Sequence, residues 1–180
     1  MWPEPEGTTD DPPLPKPAEG LRYLDCPIGT TVDELKERIR NAPREVFALS
    51  ADGVTVDFAP VVGERREVEV SSFGHLLRDR LTIHNHPGPF VVSRPDLFVA
   101  SIYVAGRCCV TLPDGRDMLV LRPEQGWPSP LELDRAYQVG LRRANTVRRS
   151  ADRALHVAIR EINRSFVNAF GDGVLQIVLE

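Results

Sequence analysis

The segment from Leu81 to Ala100 constrains this chain more than any other, because its punctuation permits little besides a strand, a stop and a capped helix. Leu81-Thr82-Ile83 is apolar and β-branched, a strand composition, and Pro87-Gly88-Pro89 ends it. Ser93-Arg94-Pro95-Asp96 then opens a helix over Leu97-Phe98-Val99-Ala100, with Ser93 as N-cap and Pro95 in the first turn, where its missing N–H is tolerated. His84 and His86 stand two positions apart at the strand's end, so their rings leave by one face, and Asp96 is expected beside them in the first helical turn. Two imidazoles, a hydroxyl and a carboxylate therefore fall within thirteen positions of a single strand, loop and helix.

Those residue types together are most of a zinc site. A catalytic Zn²⁺ takes three protein ligands and keeps the fourth tetrahedral position for water. The metal brings the pKa of that water to roughly 7, but a base must still accept its proton, so a carboxylate from elsewhere in the chain is required. Other histidine chemistries fail on counting. The chain has four histidines, His75, His84, His86 and His156, too few for sites built from four or more imidazoles in one cluster. His-Glu-x-x-His is absent, as are the paired signatures of the zinc deaminases, and 180 residues are fewer than a (β/α)₈ barrel normally needs. His75 and His156 read as ordinary packed or surface side chains.

Upstream, Thr31-Val32-Asp33-Glu34 is a capping box, and Leu35, Ile39 and Ala42 continue a helical stripe to Pro43. Glu45 to Ser50 follows as a strand, Ala51-Asp52-Gly53 as a hairpin turn, and Val54 to Phe58 as the alternating partner strand. Residues 53 to 70 thus give two strand-like runs, and Phe73 to Asp79 a short helix.

With those elements in order, the chain resembles the JAMM (JAB/MPN+) metalloproteases, whose pattern is a distant upstream Glu, then His-x-His-Pro, then Ser-x-x-Asp. His84-Asn85-His86-Pro87 and Ser93 to Asp96 match it, with Glu45 as the upstream residue. Asn between the histidines is similar to the prokaryotic and phage branches, RadC-type domains included, rather than to eukaryotic deubiquitinases, which carry Ser or Thr there. The resemblance covers about Glu45 to Leu121. It departs in one place: Pro87 to Val92 puts six residues between the second His and the Ser, where the family usually has seven. The resemblance implies that His84, His86 and Asp96 ligate Zn²⁺, that Ser93 stabilises the oxyanion, and that Glu45 is the general base. Glu64, Glu67 and Glu69 compete for that last role, although Glu67 and Glu69 sit in an alternating charged stretch that reads as a solvated edge.

Beyond the second helix, Ile102 to Leu112 and Met118 to Leu121 flank the turn Pro113-Asp114-Gly115-Arg116 as two antiparallel strands, with Cys108 and Cys109 on the first. Apolar residues from Leu133 to Phe170 then recur at helical spacing, opposite a face carrying Arg142, Arg143, Arg148, Arg149, Arg153, Arg160 and Arg164. This reads as one long helix, or two, open to packing against a second copy or a protein partner, and Val174 to Leu179 as a final strand. Trp127, in the loop before it, packs over the core or beside a groove.

The division expected is a Pro-rich, disordered arm at 1–20, a JAMM/MPN-like core at 21–128, and a helical extension at 129–180 packed on that core. The net charge of −4 argues against nucleic acid as the main partner. Three cysteines without a Cys-x-x-Cys pair read as reduced thiols, and the lack of a signal peptide or a long apolar run predicts a cytoplasmic protein without a membrane partner. The fold expected is α/β (α+β): a mostly antiparallel curved sheet flanked by helices, with the cytidine-deaminase-like layering of the JAMM/MPN family. The function expected is a zinc-dependent metallopeptidase or isopeptidase acting on a protein or peptide, with a ubiquitin-like tail as one substrate class. The alternative is a non-catalytic MPN-like binding or assembly module in a phage-related or bacterial complex.

Overall fold

A computed structural model describes residues 22–180 apart from 28, 58, 66, 89, 147–150 and 172–174, and gives the backbone alone for 73, 151 and 152. The Pro-rich arm at 1–20 lies outside the described residues, as do Val147, Arg148 and Arg149 of the C-terminal pattern. In chain order the elements are β1 (Arg22–Tyr23), α1 (Val32–Ile39), β2 (Val46–Ser50), β3 (Val61–Val62), a 3₁₀ helix (Ser71–Leu77), β4 (Leu81–Asn85), α2 (Arg94–Ile102), β5 (Arg107–Thr111), β6 (Asp117–Leu121), α3 (Pro130–Asn145), α4 (Ala151–Phe170) and β7 (Gln176–Leu179).

The strands form one mixed sheet in the order β1-β3-β2-β4-β5-β6-β7. The α/β class is as expected, and every pairing in that order is antiparallel except β4 with β5. That exception follows from α2, which carries the chain across one face and returns it beside β4 in the same direction. All five residues of β4 are buried, as befits a central strand covered on both faces. Ile83 points to a cluster with Ala48, Leu35 and Ile39 under α1. Cys108 and Val110 face a larger cluster with Leu97 of α2, Leu133 of α3 and Phe166 of α4. Among the described residues no helix is long and apolar enough to cross a membrane.

Two local expectations change. Of the expected strand Val54 to Phe58, the described residues Val54 to Asp57 form no strand beside β2, although the Asp57 N–H donates to the Leu49 carbonyl, and Phe58 lies outside the described residues. The Asp52 carboxylate accepts the N–H groups of Val54 and Thr55, winding the chain tightly. The segment is then drawn toward α1, where the Val54 carbonyl accepts the Val32 N–H and the Val56 N–H donates to the Thr30 carbonyl. The edge of β2 goes instead to the two-residue β3. Second, β5 starts at Arg107 rather than Ile102, because α2 runs through Ile102 before turning.

The C-terminal stripe, expected as one long helix or two, is two helices packed on each other. A Cβ built on Gly140 of α3 would lie 2.5 Å from the Ile162 Cα of α4, so the backbones touch there and only glycine fits. Leu133, Tyr137, Leu155, Ile162 and Phe166 are buried, which spends the apolar stripe within the chain. β7 pairs with β6 and completes the sheet. Trp127 packs against the large cluster and donates its indole N–H to the Ala105 carbonyl at 2.7 Å.

Candidate metal centre

Ser93 caps α2 as its sequence demands. Its Oγ accepts the Asp96 N–H at 3.3 Å, and Asp96 Oδ2 accepts the Ser93 N–H at 2.6 Å, a reciprocal box that fixes the carboxylate at the helix N-terminus. Tyr137 of α3 donates its hydroxyl to the Val92 carbonyl at 2.9 Å, holding the approach to the cap in place. The helix N-terminus favours negative charge, so the fold presents Asp96 where an anion is most stable.

His84 and His86 come off the same face at the end of β4 and meet this carboxylate. His84 Nε2 lies 3.3 Å from Asp96 Oδ1, and His86 Nε2 lies 3.3 Å from Asp96 Oδ2. The two Nε2 atoms are themselves 3.3 Å apart. One ligand atom from each residue falls within 4.8 Å of the others, so the group can hold a metal ion.

The chemistry of the donor set fits a divalent cation. His86 Nδ1 lies 3.2 Å from the Phe90 carbonyl, which can only accept, so Nδ1 carries the hydrogen and the neutral ring offers an Nε2 lone pair toward Asp96. Burial opposes charge on His86, but the Asp96 carboxylate outweighs it and raises the pKa. Burial likewise opposes ionisation of Asp96, yet the neighbouring His84 and His86 rings hold its pKa well below the usual carboxylate range. A site that attracts protons this way also attracts a cation, since three lone-pair donors converge with no positive charge of their own when the rings are neutral.

Glu45, separated from these residues by a long stretch of chain, is brought to them by pairing. Its N–H donates to the Glu64 carbonyl and its own carbonyl accepts the Gly63 N–H, extending the β2–β3 ladder by one residue. β2 pairs with β4 so that Phe47 lies opposite His84. Glu45, His84, Ser93 and Asp96 consequently line one cavity of about 300 Å³. Burial raises the Glu45 pKa against the opposing pull of His84 and His86. A carboxyl whose pKa is raised beside a cluster of candidate ligands holds its proton more readily than an ordinary glutamate, a property of proton-transfer groups.

Of the competing carboxylates, Glu69 accepts the Ser71 N–H at 2.7 Å and Glu64 pairs with Arg44 at 3.3 Å, both at the surface. Glu67 is exposed, as its charged, alternating surroundings suggest, and it also lines the cavity. His75 and His156 are exposed and lie outside the ligand group. Cys108 and Cys109 are buried free thiols on β5. Burial pushes the Cys109 thiol up to about 12 and raises that of Cys108 as well, which keeps both protonated.

Sequence reasoning missed the task of Asn85. Lying between the histidines, it points to the opposite face of β4, where its Oδ1 accepts the Val46 N–H at 2.7 Å and its Nδ2 donates to the carbonyls of Ala42 and Arg44 at 3.4 and 3.2 Å. One fully buried amide thereby straps the residues on both sides of Glu45 to the ligand strand. The available signal was an amide inside an apolar strand, where asparagine is disfavoured unless it has partners. Asn85→Ala should lower stability by about 1–3 kcal/mol, the cost of stranding buried backbone groups. Urea unfolding checks this, with a lower midpoint expected and little change in slope.

Comparison of this chain with family models, with curated proteins and with solved structures found no match.

Proposed function

We propose that the chain is a zinc-dependent metallopeptidase or isopeptidase, with the layering of the JAMM fold and Zn²⁺ as the resident metal. The observation that carries this reading is the convergence of Glu45 with His84, Ser93 and Asp96 on one cavity, although Glu45 comes from a different part of the chain. A purely structural histidine pair has no need of a half-buried carboxylate with a raised pKa beside it. Two imidazoles and one carboxylate are a ligand set that zinc accepts in catalytic sites.

When bound by His84, His86 and Asp96, Zn²⁺ supplies Lewis-acid polarisation and an acidified water. Glu45 accepts the proton of the attacking water and later delivers it to the leaving amine as the carbon–nitrogen bond breaks, so one carboxyl makes both transfers. Ser93 has a lone pair committed to the Asp96 N–H, which leaves its hydroxyl hydrogen able to donate to the oxyanion. The Phe90 carbonyl orients the His86 ring, and Asn85 keeps the Glu45 segment against β4.

The direct test is to incubate zinc-loaded protein with a peptide library and with lysine-linked isopeptides, reading new termini by mass spectrometry. Cleavage is expected and should stop on chelation. No cleavage of either class by protein that demonstrably holds zinc would overturn the catalytic reading and leave a binding or assembly module.

A further inference from the structure

We propose that the cavity beside the metal centre is a specificity pocket for one uncharged aliphatic side chain, of the leucine or methionine class, next to the bond that is cleaved. This rests on the peptidase reading and names the substrate class that the site selects. Away from Glu45, Glu67, His84, Ser93 and Asp96 the lining is mostly apolar, Thr82 being the exception. Thr82 and Cys108 are register partners on β4 and β5, and both line it. Thr82 shares a face with His84, two residues on, so the pocket runs along the sheet directly from a ligand. Phe47 lies opposite His84 on β2, and Val68 and Val70 are contributed by the segment before the 3₁₀ helix. Val99 comes from α2, one turn after Asp96, so ligand and wall are set by the same helix.

Size and charge choose the occupant. The volume of about 300 Å³ is at the small end of ligand pockets, enough for a side chain and part of its backbone. Thr82 and Cys108 are almost wholly buried, and the Cys108 thiol is held protonated, so neither of them offers a counter-charge to an ionised group. A lysine or arginine head pushed past the carboxylates to Thr82 and Cys108 would lose its water with no charge partner from either of those two residues. An acidic side chain would in addition meet Glu45 and Glu67, which line the same cavity. An aliphatic side chain loses nothing and removes apolar surface from water.

Calorimetric titration of the zinc-loaded full chain with hydroxamates tests the proposal, because the hydroxamate engages the metal while its tail samples the pocket. 4-Methylpentanehydroxamate should bind at least about tenfold tighter than acetohydroxamate, given the apolar area its tail removes from water. The succinate monohydroxamate, with a carboxylate tail, should bind no tighter than acetohydroxamate. Val99→Phe fills the pocket and should bring the aliphatic preference close to one while leaving zinc content and acetohydroxamate affinity unchanged; Val70→Leu, a smaller intrusion, should lower the same ratio if the first variant folds poorly. Equal affinities for the two neutral hydroxamates in the wild-type chain, or a ratio unmoved by both variants, overturns the pocket while the metal centre stands. Carbon-13 methyl spectra of zinc-free protein with 4-methylpentanamide, which has no metal-binding group, separate the converse case. Shifts at Val68, Val70 and Val99 together with a failure to bind zinc would sink the peptidase reading and keep the pocket; no shifts would overturn the pocket directly.

Discussion

Protein reconstituted with zinc and then dialysed is expected to retain about one ion per chain by elemental analysis, and the His84→Ala/His86→Ala double variant to retain none. The expectation follows from convergence: the two Nε2 atoms and the Asp96 oxygens stand 3.3 Å from one another, close enough for a single cation to replace the contacts they make among themselves. Binding to the folded chain alone stabilises it by about 4 kcal/mol at a thousandfold excess over the dissociation constant, which for a domain of this size raises the melting temperature by roughly 8–16 °C. The double variant should show no such rise. Zinc should also leave as the solution is acidified. His86 must be neutral to ligate, and Asp96 raises its pKa, so protons compete at a higher pH than they would for an ordinary histidine. Protein that takes up no zinc even after reconstitution would remove the basis of the catalytic reading.

Glu45→Gln should keep its zinc and lose turnover by roughly 10²–10⁴-fold, the usual worth of a positioned general base. Amide and carboxyl are nearly the same size, and Glu45 is outside the ligand group, so zinc content separates loss of the base from loss of the site. Retained turnover would reassign the base, with Glu67 the next candidate because it lines the same cavity. The variant should also change stability in a particular direction. Burial lifts the folded-state pKa of Glu45 above its ordinary value, which means that the folded chain disfavours the carboxylate. Below the unfolded pKa, about 4.3, the group is protonated in both states and its ionisation costs nothing. As pH rises through the folded pKa the wild type loses stability that the glutamine variant keeps. Zinc-free Glu45→Gln is therefore expected to melt above zinc-free wild type at pH 7, with the gap closing toward pH 4, and an unchanging gap would contradict the assigned pKa direction.

The same site residues mark how far the sequence could be read. His84 and His86 were legible because a strand has a period of two, and Ser93 and Asp96 because a capping box closes within four positions; each is decided by neighbours along the chain. The stop at Pro87 and the start of α1 at Thr31 are local for the same reason. Glu45 could be nominated only through the resemblance and the strand-like run it heads, since nothing local showed that its side chain would reach the histidines.

What placed Glu45 was the pairing of β2 with β4, together with the three hydrogen bonds of Asn85, contacts between residues about forty positions apart. Long-range pairing also decided that β3 rather than Val54 to Asp57 would take the edge of β2, that β4 and β5 would run parallel, and that α3 and α4 would pack together with Gly140 against Ile162. Such choices depend on which surfaces can be buried together, an energy shared among elements and written in none of them alone. The sequence by itself thus determined the ligand strand, the capped helix and the residues able to bind a cation. Only the tertiary structure decided which distant carboxylate faces them, and that a cavity opens at their side, because both exist only where separate elements meet.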